Sequence, residues 1–142
     1  MLSWDTALTS YLPELSIDSD PALAGQLTLI DLLSHRTGLG REDALWLGAE
    51  NEVLVNKSNI IAVVNGLRPV FPLRSKWLYN NWMYDLVGEI IERVTDQKLN
   101  NLLMDLITEP IQLRHTTGDL ENIPTTIQAQ PYMCITTNHC YK

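Results

Sequence analysis

The sequence predicts a mainly α-helical domain, and two features of the chain support that prediction. Segments 84–94 and 99–107 place apolar residues at helical spacing over several turns. Strand-like patterns are scarce, and a short strand is predicted only over residues 134–137. With 142 residues, of which 45% are hydrophobic and 19% charged, the chain has the size and composition of one globular domain. We therefore expect helices packed around one core.

The first clear helix is predicted to begin at Thr28. Thr28 and Asp31 form a pattern similar to a capping box, with Asp in place of the usual Glu. His35 is expected in the last turn, where a positive charge suits the helix dipole, so we interpret it as structural rather than catalytic. Gly38 is expected to end the helix in the left-handed conformation.

Further helices follow, separated by loops. Short helices are predicted over Arg41 to Leu47 and from about Ser58, a suitable N-cap, to Asn65-Gly66. Two prolines forbid a continuous helix over residues 67–78, which should form an extended connection leading to Tyr79. The break between the two long apolar patterns is expected at Thr95-Asp96.

Charge and hydropathy exclude several classes of function. Ten Lys and Arg stand against seventeen Asp and Glu, which gives a net charge of −7, and no basic run predicts nucleic-acid binding. The longest apolar run, residues 60–64, is far shorter than the ~20 residues of a membrane helix. We expect no membrane association, a cytoplasmic location and no signal peptide. Two cysteines and a nearby histidine fall short of a zinc ligand set, and no cofactor is expected.

The stretch KWLYNNWMYDLVGEII, residues 76–91, allows two interpretations. Asn81 is a good N-cap residue for the helix that follows, and Asp85 in the first turn would suit the helix dipole. Tyr79 and Trp82 would then be amphipathic rings at the edge of the core. Alternatively, Tyr79 and Asn81 form a catalytic Tyr-x-Asn motif. Spacing alone leaves both interpretations open.

Three blocks of sequence resemble the serine β-lactamase-related family. LTLIDLLSHRTGL at 27–39 is similar to the family's "iTirdLLsHtSGL", and LSWDTALTSYLPEL at 2–15 is similar to its "LxLDdpvxkYLPEl". YNNWMYDLVGEIIERVTDQKLNNLLMDLITEPIQL at 79–113 resembles the region that contains the family's second catalytic motif. The blocks occur in the family's order and cover most of residues 2–117.

The resemblance implies a piece of the β-lactamase/transpeptidase-like α/β fold, namely its helical region without most of the sheet. Members of the family use a serine nucleophile from a Ser-x-x-Lys motif, a Tyr-x-Asn motif, and a Lys-Thr-Gly or His-x-Gly motif. By this resemblance Tyr79 would handle a proton and Asn81 would orient the substrate and the motif lysine. Asn80 would occupy the variable middle position. Met83 and Asp96 replace glycines of the family pattern.

The other two catalytic motifs are absent from these 142 residues. The residues three positions before the four lysines are Leu54, Leu73, Thr95 and His139, so no Ser-x-x-Lys occurs. Thr95-Asp96-Gln97-Lys98 is the nearest imitation, but it follows Tyr79, whereas the family's nucleophile precedes the block at Leu2. Neither Lys57-Ser58-Asn59 nor His115-Thr116-Thr117 supplies the glycine of the third motif.

Two functional hypotheses follow. The favoured one is a truncated β-lactamase-like protein, a partial domain over residues 1–142 with an irregular tail at 118–142, that lacks catalytic activity of its own. Its exposed apolar faces would favour self-association. The alternative is a serine-dependent esterase, acyltransferase or hydrolase that acts on a small ester or amide through an acyl-enzyme, as in secondary-metabolite pathways. Whether the protein is an enzyme therefore stays open.

Overall fold

The computed structural model describes residues 1–45, 54–118, 133–136 and 139–141. The contacts divide the chain into two compact units, Met1–Leu99 and Asn100–Lys142. Within the described ranges, no helix combines the length and the apolar content that crossing a membrane requires.

The first unit is helical, which confirms the predicted fold class. Its helices are α1 (Pro21–Ala24), α2 (Leu29–Leu33), α3 (Ile60–Gly66) and α4 (Asn81–Thr95), with 3₁₀ turns at Leu8–Ser10, Asp43–Leu45 and Lys57–Asn59. Both α2 and α3 pack against α4. The core is almost entirely aliphatic, and its largest fully buried side chains include Leu8, Leu12, Ile17, Leu27, Leu32, Trp82, Met83, Leu86 and Ile90. Burial of these side chains supplies the main favourable free energy of folding.

Helix α2 begins with the predicted capping box. The Thr28 hydroxyl accepts a hydrogen bond from the Asp31 backbone N–H at 3.4 Å, and the Asp31 carboxylate accepts from the Thr28 backbone N–H at 3.1 Å. The predicted end of this helix is wrong, because α2 stops at Leu33 and His35 takes the left-handed conformation, with φ 56°. Gly38 also has a positive φ, 77°, but it lies beyond the helix end.

Helix α4 begins one residue before its predicted start and stops at the predicted break. It covers fifteen residues, Asn81–Thr95, and the residue after its end, Asp96, is left-handed with φ 54° and ψ 32°, which confirms the break. Trp82, Met83, Leu86 and Ile90 face the core at helical spacing.

Helix α3 begins differently from the prediction. Ser58 was expected as the N-cap, but the Asn56 side chain accepts the Ser58 N–H at 3.0 Å and caps the 3₁₀ turn at Lys57–Asn59 instead. Of the helix predicted over Arg41 to Leu47, the structure shows a 3₁₀ turn at Asp43–Leu45, and its last two residues lie outside the described residues.

The connection at 67–78 is non-helical, as predicted, and it pairs with residues 35–40. The Val70 N–H donates to the Gly38 carbonyl at 2.9 Å, and the Gly40 N–H donates to the Arg68 carbonyl at 2.8 Å. Further along, the Arg74 N–H donates to the Arg36 carbonyl at 2.8 Å. We call the paired segments 35–40 and 68–78 the ribbon. The ribbon delivers the chain to Tyr79.

The second unit contains a helical stretch and a hairpin. Helix α5 (Leu99–Leu103) begins at the last residue of the first unit and is followed by a π-helical turn at Met104–Thr108. Leu106 and Ile107, part of the predicted apolar face, are 71% and 49% exposed. Strands β1 (Met133–Thr136) and β2 (His139–Tyr141) pair antiparallel, so the strand predicted at 134–137 is present one residue earlier.

Candidate active site

The segment from Trp77 to Asn81 alternates between two faces. Trp77 and Tyr79 are 66% and 45% exposed, whereas Asn80 is fully buried. The Leu78 N–H donates to the His35 carbonyl at 2.9 Å. Because successive side chains of an extended chain point to opposite sides, Asn80 points inward and Tyr79 points outward. We call the side of Asn80 the inner face and the side of Trp77 and Tyr79 the outer face.

Asn80, not Asn81, caps α4, so the predicted cap at Asn81 is wrong. The Asn80 Oδ1 accepts the Trp82 N–H at 3.0 Å. Asn80 has the extended dihedral angles of an N-cap, φ −147° and ψ 115°, whereas Asn81 is already the first residue of the helix. The side-chain amide of Asn80 also donates to the Gly40 carbonyl at 2.9 Å. Asn80 therefore joins the start of α4 to the ribbon.

The side chains of Tyr79 and Asn81 are not held in this way. Among the described residues, none forms a hydrogen bond with the Tyr79 hydroxyl or with the Asn81 amide group. The Tyr79 ring leans against the His35 ring, with centroids 4.5 Å apart. The Tyr79 side chain is exposed, whereas Asn81 is half-buried at the start of α4.

His35 contacts the segment before α4, although not as the cation that was expected at the end of α2. Its ring is surrounded by Trp77, Tyr79 and Tyr84, with centroids 5.9, 4.5 and 5.3 Å away. Burial lowers the pKa of His35, which favours the neutral ring. The Nδ1 atom of His35 accepts the Asn80 N–H at 3.3 Å and must be unprotonated to do so. The expected role of His35 as a cation at a helix C-terminus is therefore wrong. Its contacts are nevertheless those of a structural residue.

An ion pair holds the ribbon to α2. The Arg74 guanidinium donates from Nε to Asp31 Oδ1 at 2.7 Å and from a terminal nitrogen to Oδ2 at 2.8 Å. Burial alone would raise the pKa of Asp31, but the hydrogen bonds from Arg74 and Thr28 outweigh it and lower the pKa. Asp31 thus serves both the capping box and the ribbon.

Gly38 is required at the centre of the ribbon. A Cβ atom there would lie 2.2 Å from the Phe71 carbonyl oxygen, which is closer than atoms can approach. The positive φ adds a second reason, because side chains other than glycine rarely adopt it. Gly38 therefore sets how closely the two segments of the ribbon approach each other.

Thr95 and Lys98 cannot stand in for a Ser-x-x-Lys motif beside Tyr79. The two lie at the far end of α4, whose fifteen residues span about 22 Å. The Thr95 hydroxyl donates to the Ile91 carbonyl at 2.7 Å, and the Lys98 ammonium lies 4.0 Å from Glu92. Within the described ranges, no group of three His, Cys, Asp or Glu side chains could hold a metal ion.

The contributions of Asn80 and Arg74 were not predicted from the sequence. Asn80 occupies the variable position of Tyr-x-Asn, so nothing in that pattern marks it, although Asn is equally good as an N-cap at either position. Arg74 lies 43 residues from Asp31. Sequence spacing carries no signal for so distant a pair.

Comparison with known proteins places the chain in a family. The sequence model of the family described as Beta-lactamase matches residues 1–132. Two curated relatives are similar: unguisins hydrolase ungD of Aspergillus violaceofuscus, 25% identical over 81% of this chain, and unguisins hydrolase ungD' of Aspergillus campestris, 24% identical over 85%. The chain spans only 20% and 23% of the length of these relatives.

Solved structures show the same fold. A D-stereospecific amidohydrolase from Streptomyces superimposes with a TM-score of 0.67 at 23% identity, covering 80% of this chain and 36% of its own. The D-amino acid amidase of Ochrobactrum anthropi, solved with D-phenylalanine, gives a TM-score of 0.63 at 21% identity, covering 85% of this chain and 40% of its own. With the family match over residues 1–132, the conclusion is that this chain belongs to the beta-lactamase family.

Proposed function

We propose that the chain carries the second catalytic motif of a serine-dependent hydrolase, with Tyr79 and Asn81 as its functional residues. We further propose that these 142 residues alone do not complete the reaction. The observation that carries the proposal is that the exposed Tyr79 hydroxyl and the amide of the half-buried Asn81 have no hydrogen-bond partner among the described residues. Asn80, which lies between them, is fixed by hydrogen bonds to His35 and Gly40.

The chemistry explains the division of roles. A serine hydroxyl attacks a carbonyl only when a neighbouring group takes its proton. A phenol ordinarily loses its proton near pH ~10, so Tyr79 needs a nearby cation to act as that group. The Asn81 amide can donate to a substrate oxygen and accept from a lysine ammonium. Without the serine and the lysine, Tyr79 and Asn81 can bind and orient but cannot form an acyl-enzyme.

Direct activity measurements test this proposal. The 142-residue chain is treated with a fluorophosphonate probe, a chromogenic ester, a chromogenic β-lactam and D-phenylalaninamide, beside an intact serine β-lactamase. We expect labelling and turnover only in the intact enzyme. Stoichiometric, active-site-directed labelling of any serine in the chain would refute the proposed lack of independent activity.

The alternative is a complete hydrolase or acyltransferase in which other sequence supplies the missing motifs. The hydrolases and amidases among the relatives favour an amide substrate. Sequencing the transcript and the flanking DNA tests it, because an in-frame Ser-x-x-Lys upstream and a glycine-containing third motif downstream would replace the proposal of an inactive chain.

In a longer protein that contains all three motifs, substitutions would test the roles assigned to Tyr79 and Asn81. Tyr79→Phe should lower kcat about 10²- to 10⁴-fold, as expected for loss of a proton-transferring group. The matched control is Tyr84→Phe, because within the described part of the chain the Tyr84 hydroxyl donates to the Leu33 carbonyl alone. Equal losses in the two variants would argue against Tyr79.

Self-association is proposed from a separate feature of the first unit. An apolar groove of about 230 Å³ is lined chiefly by Leu2, Trp4, Leu33 and Val87, and Trp4 is 65% exposed. A second copy of the chain would cover this surface. Sedimentation velocity should show dimers that weaken in Trp4→Ser, and a concentration-independent monomer would contradict the proposal.

A further inference from the structure

His35 forms two hydrogen bonds that flank Tyr79. The His35 carbonyl accepts the Leu78 N–H at 2.9 Å, and the His35 Nδ1 atom accepts the Asn80 N–H at 3.3 Å. The two donors belong to the residues immediately before and after Tyr79. His35 therefore holds the backbone on both sides of Tyr79, and the two rings are also in contact, with centroids 4.5 Å apart.

The two hydrogen bonds respond differently to pH. A backbone carbonyl accepts a hydrogen bond at any pH, whereas an imidazole nitrogen accepts one only while it is unprotonated. In the imidazolium form both ring nitrogens carry hydrogen, so a donor on Nδ1 would face the Asn80 N–H. Protonation of His35 therefore removes the hydrogen bond after Tyr79 and leaves the one before it.

The backbone of His35 adopts a costly conformation to make these contacts. Its φ of 56° is left-handed, which costs free energy for residues other than glycine. Glycine would adopt the same conformation without strain, but glycine has no side-chain acceptor for the Asn80 N–H. The strain at His35 therefore accompanies a contact that only a side chain can make.

Within the described ranges, three aromatic rings surround the His35 ring. The titratable ones are the Tyr79 phenol, from the segment before α4, and the Tyr84 phenol, from α4 itself, whereas the Trp77 ring does not titrate. Burial lowers the pKa of His35, and no charged side chain of the described residues contributes to that shift. Since histidine ordinarily changes charge between about pH 5 and 8, a proton on His35 is the charge change expected in this cluster near neutral pH.

We propose that His35 is a positioning residue for Tyr79, which it holds on both sides while the imidazole is neutral and on one side only when the imidazole is protonated. Once the Asn80 hydrogen bond is lost, the hydrogen bond from Leu78 alone holds the backbone beside Tyr79. The importance of this coupling for catalysis rests on the proposed function. The coupling itself does not, because it needs only contacts within residues 1–99.

A pH titration of the 142-residue chain by nuclear magnetic resonance tests the proposal without requiring any activity. The His35 ring, the Tyr79 ring and the Asn80 amide are followed from pH ~8 to pH ~5. A nearby charge alone shifts such signals, so the hydrogen-exchange rate of the Asn80 amide decides. After correction for the intrinsic effect of pH, we expect this rate to rise about tenfold as His35 is protonated, and the order parameter of Tyr79 to fall. The signals of the buried Ile90 should stay unchanged, which separates local release from general unfolding.

His35→Asn is the informative variant. An asparagine oxygen accepts the Asn80 N–H without titrating, and asparagine tolerates the left-handed conformation, so the Asn80 amide should stay protected over the whole pH range. His115→Gln, at an exposed histidine, is the matched control and should behave as the wild type does.

Two results would overturn the proposal. One is an Asn80 exchange rate in the wild type that does not change as His35 is protonated, and this result decides the matter even if His35→Asn does not fold. The other is a folded His35→Asn variant that keeps the wild-type dependence of the Asn80 exchange rate on pH. Labelling of a serine by the fluorophosphonate probe would refute the proposed lack of independent activity and leave the coupling of His35 to Tyr79 untouched.

Discussion

The inner and outer faces of the segment from Trp77 to Asn81 differ in the hydrogen bonds that their residues form. On the inner face, Asn80 uses its backbone N–H, its side-chain oxygen and its side-chain amide in hydrogen bonds to three different parts of the fold. On the outer face, the Tyr79 hydroxyl has no hydrogen-bond partner among the described residues. Adjacent residues thus differ, because Asn80 fixes the backbone whereas the exposed side chain of Tyr79 forms no hydrogen bond within the described part of the chain.

The contacts on the inner face belong to the first unit of the chain. The Asp31–Arg74 ion pair and the ribbon hold the segment through contacts with α2 and α4 that lie within residues 1–99. None of these contacts needs a serine nucleophile or its lysine. The geometry of Tyr79 and Asn81 is therefore a property of the helical region itself.

The largest effect should come from closing the space at the centre of the ribbon. Gly38→Ala places a methyl group against the Phe71 carbonyl and requires a positive φ, so the free energy of unfolding should fall by at least about 3 kcal/mol. Urea denaturation measures it. Gly66→Ala is the control, since no atom lies within 4 Å of its new Cβ, and it should change stability by less than about 1 kcal/mol. A small effect for Gly38→Ala would mean that the ribbon does not hold the inner face.

Removing the ion pair should have the next largest effect. Asp31→Ala removes the cap of α2 and two hydrogen bonds from Arg74, which should cost about 2–3 kcal/mol of unfolding free energy. Asp18→Ala serves as the control, because Asp18 is exposed, and should stay within about 0.5 kcal/mol of the wild type. Equal losses in the two variants would show that Asp31 contributes no more than a surface carboxylate.

The smallest expected effect is on the way the free energy of unfolding depends on pH. Burial lowers the pKa of His35 in the folded state, so below about pH 6.5 the unfolded state binds more protons at this residue. Stability should therefore fall as the pH decreases from about 6.5, and the His35→Asn variant should lose this part of the slope. Unfolding free energies measured from pH 7 downward in both proteins test the expectation. Equal pH slopes in the two proteins would contradict it.

Local signals in the sequence predicted local features well. The capping box at Thr28, the break at Asp96 and the mainly helical fold were all predicted from neighbouring residues, because helix caps and apolar periodicity act over one or two turns. The end of α2 was misplaced, since Gly38 looked like a helix terminator although pairing with Val70 and Phe71 is what requires it.

Features set by distant contacts were not predictable in the same way. The pair of Asp31 with Arg74 and the tie of Asn80 to Gly40 join residues at least forty positions apart. The roles of Tyr79 and Asn81 remain predictions, drawn from family resemblance, and the structure adds where their side chains lie. In the stretch 76–91, the cap of α4 is Asn80 rather than Asn81. Asp85 lies beyond the first turn of the helix, and Trp82 is buried in the core rather than at its edge.

Asn80 holds the start of α4 by its side-chain hydrogen bonds, whereas the Asn81 side chain has no hydrogen-bond partner among the described residues, and this difference can be measured. The free energy of unfolding is measured in urea for the wild type, Asn80→Ala and Asn81→Ala. Asn80→Ala loses the cap of α4 and leaves the Gly40 carbonyl unpaired, so it should cost about 2–4 kcal/mol. Asn81→Ala should change stability by less than about 0.5 kcal/mol. An equal or larger loss in Asn81→Ala would contradict the different structural roles of Asn80 and Asn81.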